Sequence, residues 1–284
     1  MYFNIHQNVN VKVSYYMKDL FRVPKSPFYT GSSQFYLSDQ DKLKEKILNL
    51  LVLNDINIKY KTNSTLMKVF NVVAKYLTKD RFMSVFTTTV GRNIYIPSEL
   101  WAKNSDVFNP VITHETCHVR QEELYISKYG SLFGRLAHRL GYIAPQIYAA
   151  PALLSLLAIL AIWFGPVWLL CLNFLVFLLL LLPGICNANY RLQTEIEGYG
   201  ANILFDYWMK GIEPDKYNVD WIYDSLSGPA YYWTTDMSKD SFRVAILGFV
   251  NALKDDDIAL MNYNPVLFEI KQYILELRNV NNSN

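Results

Sequence analysis

Hydrophobic positions repeat at helical spacing in several segments of the chain. In DKLKEKILNLLVLN (residues 41–54) and STLMKVFNVVAKYL (residues 64–77), apolar residues recur every three or four positions, which predicts two amphipathic helices. Polar and aromatic residues without this period fill the first 40 positions, where we expect an irregular lead-in. Further helices are predicted at RLQTEIEGYGANILFDYWMK (residues 191–210), near residues 239–254 and near residues 265–278.

A run of strand-forming residues follows the second predicted helix. FMSVFTTTV (residues 82–90) is rich in β-branched and aromatic residues, Gly91 and Arg92 follow it, and NIYIP (residues 93–97) comes next. This pattern predicts a hairpin of two strands that Pro97 closes.

The segment after the hairpin predicts one long helix around VITHETCHVRQ (residues 111–121). Asn109 is suited to the N-cap and Pro110 to the first helical position. We expect this helix to run to about Tyr129, because Gly130 then supplies a stop signal.

The same helix carries the spacing H-E-x-x-H, formed by His114, Glu115 and His118. Residues four apart lie on one helical face, so both imidazoles can point at one metal ion. The glutamate lies beside the metal, where it can hold a water molecule. We therefore predict one Zn²⁺ per chain, with His114 and His118 as ligands and Glu115 as the general base. The alternative is a solvated helix face that matches the motif by chance.

A catalytic zinc ion takes three protein ligands and keeps one position open. His6 lies in the lead-in and His138 borders an apolar run, so neither suits. The predicted helix at residues 191–210 offers two carboxylates, and we expect Glu195 to be the third ligand, with Glu197 as the second choice. The alternative is that both glutamates are solvated in a first helical turn, where the helix dipole favours them.

A long uncharged stretch separates the two parts of this site. The 51 residues from Leu140 to Tyr190 contain no Asp, Glu, Lys, Arg or His. Apolar segments at residues 147–164 and 167–182 flank a Gly-Pro break at 165–166. Each half is near the length needed to cross a bilayer. We therefore predict a transmembrane or re-entrant helical hairpin, and the alternative is a buried hairpin in a soluble core.

The predicted ligands constrain the path of this hairpin. If Glu195 shares a metal ion with the two histidines, the chain must leave and return on the same side of the membrane. Arg135, His138 and Arg139 precede the run, and Arg191 follows it. The central break carries no basic residue. The positive-inside rule then predicts that the zinc domain faces the cytoplasm.

The amino-acid composition narrows the possible partners, the cysteine chemistry and the source of the protein. The net charge is +2, and we find no basic stripe, so we expect no nucleic-acid partner. The three scattered cysteines do not form the pattern of a disulfide framework. The abundance of Asn, Tyr, Lys and Ile is typical of an AT-rich genome and suggests a viral or phage source.

These motifs resemble those of the membrane-associated gluzincin metalloproteases, the HtpX-type heat-shock proteases and the type I CAAX prenyl proteases. Those enzymes carry H-E-x-x-H, hydrophobic spans and then E-x-x-A-D, whose first Glu is the third zinc ligand. Here HETCH (residues 114–118) matches in full and EIEGY (residues 195–199) matches in part, with Glu195 in the ligand place. The stretch TTTVGRNIYIPSELW (residues 87–101) also resembles the one that precedes the motif helix in those enzymes.

Two positions depart from the family pattern. Gly198 stands where Ala is usual, and Tyr199 stands where an Asp usually supports a zinc ligand. The resemblance implies that such support must here come from another residue. An oxyanion-stabilising donor is also expected, and the candidates are Tyr199, Tyr231, Tyr232 and Arg243.

The sequence thus predicts an α+β protein, mostly helical, with a zincin-like metalloprotease domain and a small antiparallel sheet. The expected organisation is a lead-in (residues 1–40), a protease domain in two segments (41–140 and 187–284) and the inserted hydrophobic hairpin (141–186). The bilayer is the expected partner of residues 143–186.

The predicted function is a membrane-associated, zinc-dependent endopeptidase that cleaves a peptide or protein substrate. Two alternatives stay open. The first is a non-enzymatic membrane or virion component whose zinc site is vestigial or structural. The second is a soluble metallopeptidase with a buried hydrophobic hairpin.

Overall fold

The computed structural model describes residues 37–77, 82–84, 86–98, 102–143, 188–227 and 237–282. These residues form a mostly helical α+β arrangement with one small sheet, as predicted. The helices are α1 (Leu37–Leu53), α2 (Thr65–Leu77), α3 (Ser105–Tyr129), α4 (Ser131–Ile143), α5 (Ala188–Lys210), α6 (Val219–Leu226), α7 (Lys239–Leu253), α8 (Asp257–Tyr263) and α9 (Pro265–Asn282). The strands are β1 (Asn57–Tyr60), β2 (Thr88–Val90) and β3 (Asn93–Ile96).

The sheet is mixed, so the prediction of a small antiparallel sheet is confirmed for one strand pair and wrong for the other. Its order is β1-β3-β2. β2 and β3 form the predicted antiparallel hairpin, although the first strand begins only at Thr88 because residues 82–84 form a turn. β1 adds to the other side of β3 in parallel, with Asn57 opposite Asn93. Parallel pairing joins segments distant in sequence, and four residues of β1 carry too little pattern to predict it.

The motif helix α3 begins at Ser105, earlier than predicted. Asn109 is therefore not an N-cap: it is buried, and its side-chain amide donates to the backbone and side-chain oxygens of Gln40 in α1. Pro110 lies inside the helix instead of at its first position. The predicted end at Tyr129 is confirmed, and Gly130 adopts a φ of 81° there, a conformation that favours glycine.

Buried apolar side chains from both halves of the chain join in one core. α3 packs along α5, and α1 and α9 pack beside them. Every residue from Val111 to Val119 is buried, which is unusual for a helix with this many polar side chains. The helix is enclosed because the sheet, α1, α4 and α5 all pack against it, so its polar groups must find partners within the protein.

The predicted hydrophobic hairpin (residues 141–186) lies almost entirely outside the described residues. Within the described part of the chain, no helix has both the length and the apolar character to span a bilayer. The helices on either side of the uncharged run lie together: Nδ1 of His138 in α4 is 2.5 Å from the Tyr190 hydroxyl in α5. The chain thus leaves and re-enters the described fold at one place.

Candidate metal centre

Three predicted ligands converge in the interior of the protein. The Nε2 atoms of His114 and His118 lie 3.1 Å apart, and Nε2 of His114 lies 3.6 Å from Oε2 of Glu195. The ligand atoms of all three residues lie within 4.8 Å of one another, and each residue is buried. This group could hold a metal ion. The two helices α3 and α5 supply the ligands, so their packing assembles the site.

Glu195 has one oxygen directed at the histidines and one held elsewhere. The Tyr142 hydroxyl, at the end of α4, donates to Oε1 of Glu195 at 2.6 Å, which leaves Oε2 toward His114. Burial alone would raise the pKa of this carboxyl, but the contact with His114 and the electrostatic influence of His118 and Arg191 lower it to about 2. Glu195 is therefore an ionised, one-oxygen donor at neutral pH.

Gly198 allows α5 to approach the motif helix closely. A Cβ atom at this position would lie 2.6 Å from both Cε1 and Nε2 of His114, a separation that real Cβ atoms do not adopt. A residue with a side chain here would displace the imidazole. The neighbouring Tyr199 packs edge-on against His114, with ring centroids 5.0 Å apart.

Glu197, the second choice for the ligand, has a different place. Its Oε2 accepts hydrogen bonds from Nε2 of Gln121 at 2.7 Å and from the Tyr263 hydroxyl at 2.8 Å. Gln121 in turn lies 2.9 Å from Nδ1 of His118, through its Oε1. Glu197 therefore contacts the ligand His118 through Gln121. The ligand pattern in the sequence does not identify Gln121, although this residue follows His118 by one helical turn.

Glu115 lies on the side of the motif helix that faces the sheet. The hydroxyl of Thr87 donates to Oε1 of Glu115, and the Thr89 hydroxyl of β2 donates to Oε2 at 2.6 Å. Both threonines come from the hairpin predicted in the sequence. These hydrogen bonds fix the direction of the carboxylate without neutralising it.

A buried lysine lies on this same side. Lys61 follows β1, and its ammonium donates to the Phe82 carbonyl at 2.9 Å and lies 3.7 Å from the centroid of the Phe82 ring. Burial lowers its pKa to about 7, although the negative charge of Glu115 opposes the shift. Lys61 cannot be singled out from the sequence, since a lysine in a polar segment has no distinguishing pattern.

The structure describes two of the four predicted oxyanion donors. Tyr199 lies beside His114, whereas Arg243 is exposed on α7. Tyr231 and Tyr232 lie outside the described residues. His138 is buried next to Tyr142 and Tyr190, and it is not one of the three converging donors.

Comparison with protein-family models, with curated proteins and with solved structures found no match to this chain. The geometry of His114, His118 and Glu195 is therefore the basis for assigning a function.

Proposed function

We propose that this chain is a membrane-associated zinc endopeptidase of the gluzincin type. One observation carries the proposal: two imidazoles and one carboxylate, from helices separated by the uncharged run, meet with their donor atoms within 4.8 Å. Two histidines and a glutamate are a ligand set of catalytic zinc sites, in which water or substrate takes the fourth position.

The spacing of the donors supports zinc. Zinc bonds to nitrogen and oxygen are about 2.0–2.1 Å long, so two ligands of a tetrahedral ion lie about 3.3 Å apart. Two of the three donor pairs, at 3.1 Å and 3.6 Å, bracket this value, and the third pair lies within 4.8 Å. Small movements of side chains would therefore suffice for binding.

In the proposed reaction the protein supplies the proton transfers. A bound zinc ion would supply Lewis acidity, which lowers the pKa of a water molecule toward 7 and polarises the scissile carbonyl. Glu115 accepts the proton of the attacking water and passes it to the leaving amine. Thr87 and Thr89 hold its carboxylate in place for both transfers.

The substrate is proposed to bind along β2. Among the described strands, β2 pairs only with β3 and forms one edge of the sheet. An extended peptide can add to such an edge through backbone hydrogen bonds. Because Thr89 of β2 contacts Glu115 directly, a peptide paired with this strand would run beside the general base.

The proposed membrane partner is the bilayer, contacted by residues 143–186, with the metal centre on the cytoplasmic side. The contact of His138 with Tyr190 supports an outward and returning path for the intervening chain. Tyr142 and Glu195, from the same two helices, also meet at 2.6 Å. A single crossing would separate these pairs across the membrane.

The test of the proposed function is the substitution Glu115→Gln in the full-length protein. We expect zinc content to stay at one ion per chain, and cleavage of a peptide library to fall by about 10²- to 10⁴-fold, because the general base is lost. Glu123→Gln is the matched control: it lies on the same helix, paired with Arg92 and Arg120, and should change neither quantity.

Cleavage by Glu115→Gln at the wild-type rate would refute the role of Glu115. Zinc bound by the wild type with no cleavage of any library member would favour the non-enzymatic alternative. Resistance of the protein to carbonate extraction from membranes would separate the proposal from a soluble metallopeptidase.

A further inference from the structure

We propose that Gln121 is a positioning residue of the metal centre, set by Glu197 so that His118 presents an unprotonated Nε2 to the metal. This inference rests on the proposed function and extends it to how the site is prepared before metal binds. It concerns residues that the H-E-x-x-H and glutamate pattern does not include.

The hydrogen bonds determine the orientation of the Gln121 amide. Its Nε2 lies 2.7 Å from the Glu197 carboxylate and 3.1 Å from the backbone carbonyl of Thr194. A backbone carbonyl can only accept hydrogen bonds, so the group that faces the Thr194 carbonyl, and with it Glu197, must be the NH₂. The Gln121 oxygen must then face His118.

The orientation of the amide in turn determines the tautomer of His118. The Gln121 oxygen lies 2.9 Å from Nδ1 of His118 and can only accept, so Nδ1 carries the proton. In the neutral imidazole the other nitrogen, Nε2, then has a free lone pair. This is the atom that lies 3.1 Å from Nε2 of His114, within the converging group.

Glu197 is itself fixed from a third helix. The Tyr263 hydroxyl, at the end of α8, donates to the same oxygen that accepts from Gln121. The chain of contacts thus runs from α8 through α5 to the motif helix. In the family that the sequence resembles, an Asp supports a zinc ligand from the position that Tyr199 occupies here, and the ring of Tyr199 packs against His114.

The first test measures zinc affinity by competition with a chelator in the full-length protein. Gln121→Met keeps the length of the side chain but removes its hydrogen bonds, and we expect zinc affinity to fall by about 10- to 100-fold. Glu197→Gln should cause a smaller fall, because the Thr194 carbonyl still holds the NH₂ group. Gln193→Met, at an exposed position of α5, is the matched control and should bind zinc as the wild type does.

The second test reads the tautomer directly in zinc-free protein. The chain has only four histidines, so selective ¹⁵N-histidine labelling gives a spectrum that single substitutions can assign. We expect wild-type His118 to carry its proton on Nδ1, and Gln121→Met to show a mixture of tautomers. This measurement on the wild type remains decisive if the variant fails to fold.

A wild-type His118 protonated on Nε2, or unchanged zinc affinity in a folded Gln121→Met protein, would overturn the inference while leaving the proposed function intact. A wild-type protein that binds no zinc would instead overturn the proposed function, and the tautomer measurement would still test the role of Gln121.

Discussion

The two sides of the proposed metal centre are built differently. One side, hereafter the ligand side, contains the donors of α5 and α3. There Tyr142 holds Glu195, and Gln121 holds His118. On the side of the sheet, hereafter the sheet side, Glu115 accepts hydrogen bonds from two threonine hydroxyls of the hairpin. The ligand side depends on helix packing, and the sheet side depends on an edge strand.

This difference suggests that one side controls metal affinity and the other controls turnover. Substitutions on the ligand side should change how tightly metal binds, because they disturb the donors. Substitutions on the sheet side should change turnover and leave the metal in place, because they disturb the base and the proposed substrate strand. The predictions for Glu195 and Thr89 test this separation, and the prediction for Lys61 tests the electrostatics of the sheet side.

The largest effect is expected on the ligand side, from Glu195→Ala. Removing the carboxylate takes away one of three donors, so we expect zinc content to fall from about one ion per chain to nearly none after dialysis. Glu197→Ala is the matched comparison and should retain one zinc at saturating metal, since Glu197 lies behind Gln121. The reverse result would make Glu197 the ligand and would require a different arrangement of α5.

A smaller effect, on stability, is expected on the sheet side from Lys61→Met. Because the pKa of Lys61 is lowered from 10.5 to about 7 in the folded protein, the unfolded chain binds more protons between these values. Wild-type stability should therefore gain a contribution on the order of a few kcal/mol as pH rises from 7 toward 10.5. Lys61→Met should lose this gain.

Urea unfolding of the two proteins at pH 6, 8 and 10 measures the difference between their pH profiles. Lys59→Met, at an exposed position of β1, serves as the control and should keep the wild-type profile. Parallel profiles for wild type and Lys61→Met would mean that the ammonium is solvated.

The smallest effect is expected from Thr89→Val, which keeps the β-branched shape but removes one donor to Glu115. We expect kcat to fall by about tenfold, the equivalent of one charge-assisted hydrogen bond, with zinc affinity unchanged. Thr88→Val is the control, because the Thr88 hydroxyl donates to the Thr87 carbonyl and not to Glu115. A loss of zinc from Thr89→Val would break the proposed separation of the two sides.

Sequence reasoning predicted the parts of this site that follow helical geometry. The i, i+4 spacing of His114 and His118 is sufficient to place both rings on one face, and a carboxylate on a later helix was the remaining choice. Gln121 could have been found by the same rule, because residues three apart are also neighbours on a helix. A side-chain amide is not among the usual zinc ligands, so the ligand pattern alone does not indicate Gln121.

Other features depend on contacts between distant segments and leave little trace in the sequence. Tyr142 lies at the edge of the uncharged run, where it has no periodic signal that links it to Glu195. Asn109 lies inside α3, where its side-chain amide donates to Gln40 of another helix. When the contact with Gln40 is not known, Asn109 and Pro110 match the residue preferences of a helix start.

The most direct measurement of the proposed centre is X-ray absorption at the zinc edge of the metal-loaded wild type. We predict two imidazole nitrogens and oxygen donors at about 2.0–2.1 Å, and no sulfur, since burial raises the pKa of the neighbouring Cys117 thiol to about 12 and keeps it protonated. A spectrum with only one imidazole, or with sulfur at about 2.3 Å, would contradict the assignment of His114, His118 and Glu195 as the ligands.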